Sequence, residues 1–156
     1  MEKNKFNLIN PKKKSLDPLL REISNKIIKE MKAELNENLK ALVLYGSRIR
    51  GDNFPDSDLD LLIIFNRENK KYNKLISHIC GILSRKFLIK ISPYTILKDD
   101  FEYGCKNLFP FNIGVYTGYY TIYGNEFIEK NHEFIFKAIK SGRLTIYQRS
   151  KIFFQE

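Results

Sequence analysis

The sequence is poor in cysteine, lacks tryptophan and contains no long apolar run. Its 156 residues include two cysteines, Cys80 and Cys105, which form no metal-binding or redox motif and are expected to be reduced thiols. No apolar segment approaches the ~18 residues that a membrane-spanning helix needs, and the lysine-rich N-terminus lacks the apolar core of a secretory signal. These absences argue against a disulfide-stabilised or membrane-spanning protein, and they predict a cytoplasmic one.

Two common nucleotide-binding motifs are missing as well. Neither GxGxxG nor GxxxxGK[ST] occurs in the chain, which excludes a Rossmann-type or P-loop site. Asp56, Asp58 and Asp60 imitate the start of a calcium-binding loop, but Leu61 stands where that loop requires glycine. Arg67 stands where the loop requires its closing glutamate, so a calcium loop is disfavoured.

The charge is strongly positive but scattered. Lysine and arginine number 27 against 18 aspartate and glutamate residues, which gives a formal net charge of +9. No aromatic-flanked RNA motif or helix-turn-helix pattern accompanies these basic residues. Nucleic-acid binding therefore stays open without being favoured, because a basic rim suits a nucleoside triphosphate or an acidic partner protein equally well.

One stretch, residues 46–65, combines glycines, a hydroxyl and paired carboxylates. The apolar run Leu39–Tyr45 predicts a buried strand that Gly46 ends, and Ser47 then stands where a helix could begin. Free backbone N–H groups at such a turn favour phosphate. For the two arginines in the turn, a solvated surface position is the open alternative. The residues predicted to bind phosphate are Gly46, Ser47, Arg48, Arg50 and Gly51.

The second predicted strand, Leu59–Phe65, carries the candidate metal ligands. Residues two apart in a strand share a face, so Asp58 and Asp60 would present adjacent carboxylates. Mg²⁺ is usually bound by one or two carboxylates together with substrate phosphates. The alternative is that Asp58 caps a turn and Asp60 is solvated, but aspartate in an apolar strand is disfavoured without a purpose. The pattern therefore predicts phosphoryl or nucleotidyl chemistry.

These residues carry a resemblance to a known family. Gly46-Ser47, ten intervening residues and Asp58-x-Asp60 resemble the signature of the DNA polymerase beta-like nucleotidyltransferase superfamily. The segments GSRIRG and PDSDLDLLI are most similar to its minimal nucleotidyltransferase branch, and a weaker similarity lies at residues 110–124. The predicted fold is α+β, a nucleotidyltransferase fold with a mixed, twisted sheet of about four strands flanked by helices.

The resemblance implies transfer of a nucleoside monophosphate, AMP from ATP, to an acceptor hydroxyl. Gly46 and Ser47 would hold the β- and γ-phosphates, and the catalytic residues Asp58 and Asp60 would bind Mg²⁺ or Mn²⁺. Small members of this family commonly pair with a helical protein of the HEPN type, as antitoxin with toxin. The other hypothesis is a catalytically degenerate module that binds a nucleotide or a partner without turnover, and the sequence leaves open a homo-oligomer.

One family feature is missing from the third predicted strand, residues 87–97. Most active relatives have a third carboxylate there, whereas this chain has Lys90 and Ser92 at the plausible positions. Asp99 and Asp100 follow only after the strand. Without this carboxylate a general base for the acceptor hydroxyl is missing, and a lysine in the site would repel a metal. A weak or partner-dependent enzyme is therefore predicted.

The remaining sequence predicts a basic, flexible arm and one domain. Residues 1–14 form the arm, and residues 15–156 form the single nucleotidyltransferase-like domain. Asp17 and Pro18 predict the start of the first helix, and Asn66 is predicted to cap the second long helix. Tyr119–Tyr123 is the fourth predicted strand. Residues 141–156 are predicted to pack on the domain or to bind a partner.

Overall fold

The computed structural model describes residues 11–147 and 151–154, which form a four-stranded sheet flanked by helices and a separate strand pair. In chain order the elements are α1 (Pro18–Leu35), β1 (Leu39–Tyr45), α2 (Ser47–Arg50), β2 (Leu59–Phe65), α3 (Tyr72–Phe87), β3 (Ile91–Leu97), α4 (Lys98–Lys106), α5 (Pro110–Val115), β4 (Tyr119–Tyr123), α6 (Asn125–Lys140), β5 (Leu144–Tyr147) and β6 (Lys151–Phe154).

The four-stranded sheet is mixed, with the order β3-β2-β1-β4. β1 is antiparallel to both β2 and β4, whereas β2 and β3 run parallel and are connected through α3. The predicted α+β class and the strand number are confirmed. The third strand is shorter than predicted, because α3 continues to Phe87 and Leu88 then takes a left-handed conformation, with φ of 56°, before β3 begins at Ile91.

Both faces of the sheet are buried, which explains the continuous apolar runs of β1 and β2. Leu59, Leu61 and Ile63 belong to the core on the side of α1 and α3. Leu62 and Ile64 belong to the core on the side of α4, α5 and α6. Since alternate strand residues face opposite sides, Asp60 shares the second face with Leu62 and Ile64 and lies at the end of that core.

Two predicted helix starts have different outcomes. The Asp17 carboxylate accepts a hydrogen bond of 2.8 Å from the Leu20 N–H, so the predicted cap of α1 is confirmed. The prediction for Asn66 is wrong, because α3 begins only at Tyr72 and the Asn66 amide donates instead to the Glu37 carbonyl at 3.0 Å. Asn66 therefore ties the end of β2 to the turn that precedes β1.

The chain ends extend the fold at two places. The Lys13 N–H donates to the Tyr119 carbonyl at 2.7 Å, and the Tyr119 N–H donates to the Pro11 carbonyl at 3.3 Å, so residues 11–13 lie along β4. The rest of the predicted arm, residues 1–10, lies outside the described residues, and its flexibility stays a prediction. Within residues 141–156, β5 and β6 form an antiparallel pair.

None of the helices in the described ranges combines the length and the apolar character that crossing a membrane requires.

The cap of α1 gives a first prediction. Asp17→Ala should lower the free energy of unfolding by ~1 kcal/mol, because the Leu20 N–H loses its acceptor at the helix start. Urea unfolding measures the loss. Ser15→Ala, an exposed position two residues earlier, is the matched control. Equal losses in the two variants would contradict the role of the cap.

Candidate active site

The centre of the candidate site is the contact between Asp60 and the backbone of Gly46. Tyr45 and Asp60 are paired in the antiparallel ladder of β1 and β2, so Gly46 follows directly beside the carboxylate. Gly46 has φ of +83°, and a Cβ added to it would overlap the Oδ2 atom of Asp60. Only glycine allows this approach, which brings the start of α2 against the start of β2.

The turn after Gly46 has the features of a phosphate-binding turn. The Gly46 carbonyl accepts from the Ile49 and Arg50 N–H groups at 3.1 and 3.0 Å, which closes the single turn of α2. As N-cap, Gly46 has no side chain that could occupy the first N–H groups of the helix. A helix of one turn has a small dipole, so N–H donors and not the dipole would hold an anion here.

The two aspartates are electrostatically coupled. Partial burial raises the pKa of Asp60, the neighbouring charge of Asp58 raises it further, and Arg50 lowers it. Asp58 lies just before β2 and accepts a hydrogen bond of 2.6 Å from the Ser92 hydroxyl at its Oδ2 atom. The Lys90 ammonium lies 3.7 Å from the same oxygen. The structure thus brings Asp58 and Asp60 into one cluster, as predicted from strand parity.

The structure places the two candidate positions for the third carboxylate differently with respect to Asp60. Ser92 pairs with Asp60 in the parallel ladder of β2 and β3, whereas Lys90 precedes β3. Of the two candidates, Ser92 therefore lies in register with the aspartate. Asp99 and Asp100 begin α4, beyond the opposite end of β3. Within the described residues, no group of three or more His, Cys, Asp or Glu side chains could hold a metal ion.

The two arginines of the turn both have protein partners. Arg48 donates to the Ser57 carbonyl at 2.6 Å and to the Pro55 carbonyl at 2.8 Å, so it ties α2 to the loop that leads into β2. Arg50 lies 3.3 Å from Asp52, and its Nη1 donates to the Thr117 hydroxyl at 3.4 Å. Neither is a freely solvated surface residue. Their predicted phosphate contacts, like those of Gly46, Ser47 and Gly51, stay predictions.

Three aromatic residues, Tyr45, Tyr94 and Phe111, lie beside the carboxylates. The sequence analysis did not predict them as part of the site. The rings of Tyr45 and Phe111 are 5.9 Å apart, and those of Tyr94 and Phe111 are 4.3 Å apart. Burial raises the pKa of Tyr45, and Asp60 and Tyr94 raise it further. Tyr94 is 46% exposed and follows Ser92 by two residues, so strand parity could have indicated it. Phe111 comes from α5, and no local pattern connects it to β2.

The chemistry of this cluster fits a divalent cation. Asp58 and Asp60 are hard oxygen donors, and partial burial together with the adjacent charge of Asp58 raises the pKa of Asp60. These two residues would hold Mg²⁺ or Mn²⁺, whose positive charge would offset that of a bound triphosphate. The Gly46 turn lies next to them and offers backbone N–H groups to the phosphates.

Comparison with known proteins agrees with this geometry. Residues 24–113, more than half of the chain, match the family model for the nucleotidyltransferase domain. The chain belongs to this nucleotidyltransferase family. The predicted family and enzyme class are thereby confirmed, and the glycine turn and the aspartate pair both lie within the matched residues.

Individual relatives are distant. The chain is 29% identical over 119 residues, 74% of its length and 80% of the relative's, to MJ1305 of Methanocaldococcus jannaschii, whose name proposes a protein adenylyltransferase. A toxin-antitoxin crystal structure with AMP-PNP is 16% identical, with a TM-score of 0.48 over 77% of this chain and 91% of that one. The match to a complex of a tri-AMPylated Shewanella oneidensis HEPN toxin with an MNT antitoxin has 16% sequence identity and a TM-score of 0.47. It covers 79% of this chain and 91% of the matched chain. At TM-scores below 0.5, neither structural likeness bears on fold or function.

The contact at Gly46 gives a second prediction. Gly46→Ala should abolish Mg·ATP binding, because the new methyl group displaces the Asp60 carboxylate. Gly142→Ala is the matched control, since Gly142 lies outside the predicted phosphate-binding turn, has φ of +76°, and an added Cβ meets nothing within 4 Å. Both variants carry backbone strain of ~1 kcal/mol or more. The difference between their Mg·ATP affinities therefore reports the effect of displacing the Asp60 carboxylate. Calorimetric affinities together with melting temperatures test this, and equal affinities would be evidence against the contact.

The coupling of the aspartates gives a third prediction. Without divalent cations, Asp60→Asn should raise the Tm near neutral pH, because the amide removes a half-buried charge beside Asp58. Since the folded-state pKa is raised, ionisation of Asp60 costs stability above that pKa, and the cost disappears as the pH falls towards 3.8.

The advantage of the variant should therefore shrink on acidification. Thermal melts in EDTA at about pH 7 and about pH 4 measure it. Asp56→Asn, at an exposed position of the loop that leads into β2, is the control. The prediction would be wrong if the Tm of Asp60→Asn did not exceed that of the wild type at neutral pH. It would also be wrong if the difference in Tm grew in acid.

Proposed function

We propose that this protein transfers AMP from ATP to a hydroxyl group of an acceptor protein and releases pyrophosphate. The observation that carries the proposal is the contact of the Asp60 carboxylate with Gly46, directly before the turn that begins with Ser47. This contact places the proposed phosphate-binding turn directly beside a proposed ligand of the divalent cation. Family membership restricts the chemistry of such a site to nucleotidyl transfer.

The residues have distinct tasks in this proposal. The Gly46–Ser47 turn binds the β- and γ-phosphates through backbone N–H groups, and Arg50 adds positive charge from a side chain that is 16% exposed. Asp58 and Asp60 hold Mg²⁺ or Mn²⁺, which neutralises triphosphate charge when bound. Transfer then depends mainly on positioning and electrostatics, because an in-line displacement at phosphorus requires little covalent chemistry from the protein.

In the reaction, the acceptor oxygen forms a bond to the α-phosphorus while the bond from that phosphorus to the bridging oxygen breaks. Pyrophosphate leaves with the electron pair, and the acceptor proton passes to water. Ser92 cannot take this proton as a carboxylate would, since its hydroxyl donates to Asp58. A missing general base typically costs ~10²–10⁴-fold in rate, so slow turnover is expected.

The choice of AMP and of a protein acceptor is supported by the name of MJ1305, at 29% identity. The acceptor that we propose is a helical HEPN-type partner, on the family resemblance of GSRIRG and PDSDLDLLI. The reaction would take place in the cytoplasm.

A second function is favoured by one specific observation. Lys90 and Ser92, the two positions where the family resemblance predicts a third acid, both contact Asp58. A module that binds nucleotide and occupies a partner without turnover would tolerate this replacement. The site residues and the partner are the same in both proposals, and only transfer distinguishes them.

The fourth prediction separates these functions with two labels. We expect ³²P from α-labelled ATP, but not from γ-labelled ATP, to appear on a HEPN-type protein encoded by an adjacent gene when Mg²⁺ is present. The Asp58→Asn/Asp60→Asn double variant should lose this labelling and keep its fold, as measured by circular dichroism. Asp56→Asn is the control, since it removes an exposed carboxylate from the loop that leads into β2.

Each outcome has a clear reading. Transfer of the γ-label would mean phosphorylation, which contradicts the proposal. Binding of Mg·ATP without transfer of either label would favour the non-catalytic module. Equal Mg·ATP affinity in the wild type and the double variant would show that the metal site is assigned to the wrong residues.

A further inference from the structure

Two donor groups converge on one oxygen of Asp58. The Ser92 hydroxyl donates to Oδ2 at 2.6 Å, and the Lys90 ammonium lies 3.7 Å from the same atom. The Lys90 side chain is 75% exposed, so the ion pair alone is weak. Its backbone is nevertheless fixed, because the Lys90 carbonyl accepts a hydrogen bond of 2.8 Å from the Leu59 N–H at the start of β2.

The neighbouring strand offers a hydroxyl where a third carboxylate would be needed. Ser92 lies opposite Asp60 in the ladder, and its proton is directed to Asp58. A neutral hydroxyl brings no negative charge to offset a second divalent cation. Two carboxylates supply protein ligands for one Mg²⁺, and a second ion on the side of β3 would be repelled by the Lys90 ammonium.

The acceptor side of the site can be assigned from the sheet order. In an in-line displacement the acceptor and the leaving pyrophosphate lie on opposite sides of the α-phosphorus. The sheet order β3-β2-β1-β4 places the Gly46 turn, after β1, on one side of the aspartates and Lys90 and Ser92 on the other. With the phosphates at Gly46, the acceptor oxygen enters on the side of Lys90.

We propose that this site binds one divalent cation, and that the Lys90 ammonium supplies the second positive charge on the acceptor side of Asp58. The inference rests on the proposed nucleotidyl transfer. Lys90 attracts the acceptor oxygen and stabilises the negative charge that develops on it. Ser92 is a positioning residue, since it fixes the Asp58 carboxylate by occupying Oδ2 and leaves Oδ1 for the cation.

The fifth prediction counts cations. With α,β-methylene-ATP fully bound, electron paramagnetic resonance should find one bound Mn²⁺ per nucleotide in the wild type. The double variant Lys90→Met/Ser92→Asp, which removes the ammonium and restores a carboxylate opposite Asp60, should bind two. Lys29→Met, at an exposed position of α1, is the control and should bind one. Two bound Mn²⁺ in the wild type would overturn the proposal, even if the double variant fails to fold.

A kinetic readout tests the charge of Lys90 directly. Lys90→Met should lower kcat by about 10²-fold without weakening Mg·ATP binding, because the removed ammonium repels the cation, while Lys90→Arg should retain most of the rate. An unchanged or raised kcat in Lys90→Met would contradict the role of Lys90 and leave the proposed function standing. Absence of transfer in every variant, with one Mn²⁺ bound, would instead contradict the proposed function and support the one-cation site.

Discussion

Repulsion between the carboxylates of Asp58 and Asp60 is the constraint on which the site depends. The pKa of Asp60 is raised first by partial burial and then by this repulsion. The rest of the fold holds the pair together against it. Leu59, Leu61 and Ile63 anchor β2 in one core, while Leu62 and Ile64 anchor it in the other. Since both faces of the strand are fixed, the aspartates at its end cannot move apart without loss of packing.

Much of this arrangement could be predicted from the sequence, because it depends on local patterns. The bounds of β1, β2 and β4 agree with the prediction, since each is an apolar run that turn residues delimit. The proximity of Asp58 and Asp60 follows from the period of two residues in a strand. The Asp17 cap likewise requires only a side chain and a backbone N–H three residues away.

The features that could not be predicted depend on contacts between distant parts of the chain. Whether Lys90 or Ser92 lies opposite Asp60 is decided by the register of the parallel ladder between β2 and β3. Asn66 has the composition of a helix cap but binds the Glu37 carbonyl, a partner 29 residues away. Phe111 reaches the site only because α5 packs over the end of the sheet.

A fixed ammonium and a bound cation are not equivalent in the proposed site. Lys90 contributes its charge whenever the chain is folded. The active complex would therefore form without binding a second divalent cation. Its charge is half that of Mg²⁺ and its side chain is 75% exposed, which weakens its pull on the acceptor oxygen. Burial of Lys90 beneath a partner protein would reduce this screening and strengthen the same charge. Under the proposed mechanism, contact with the acceptor protein would therefore raise the activity, because it would cover the Lys90 side chain.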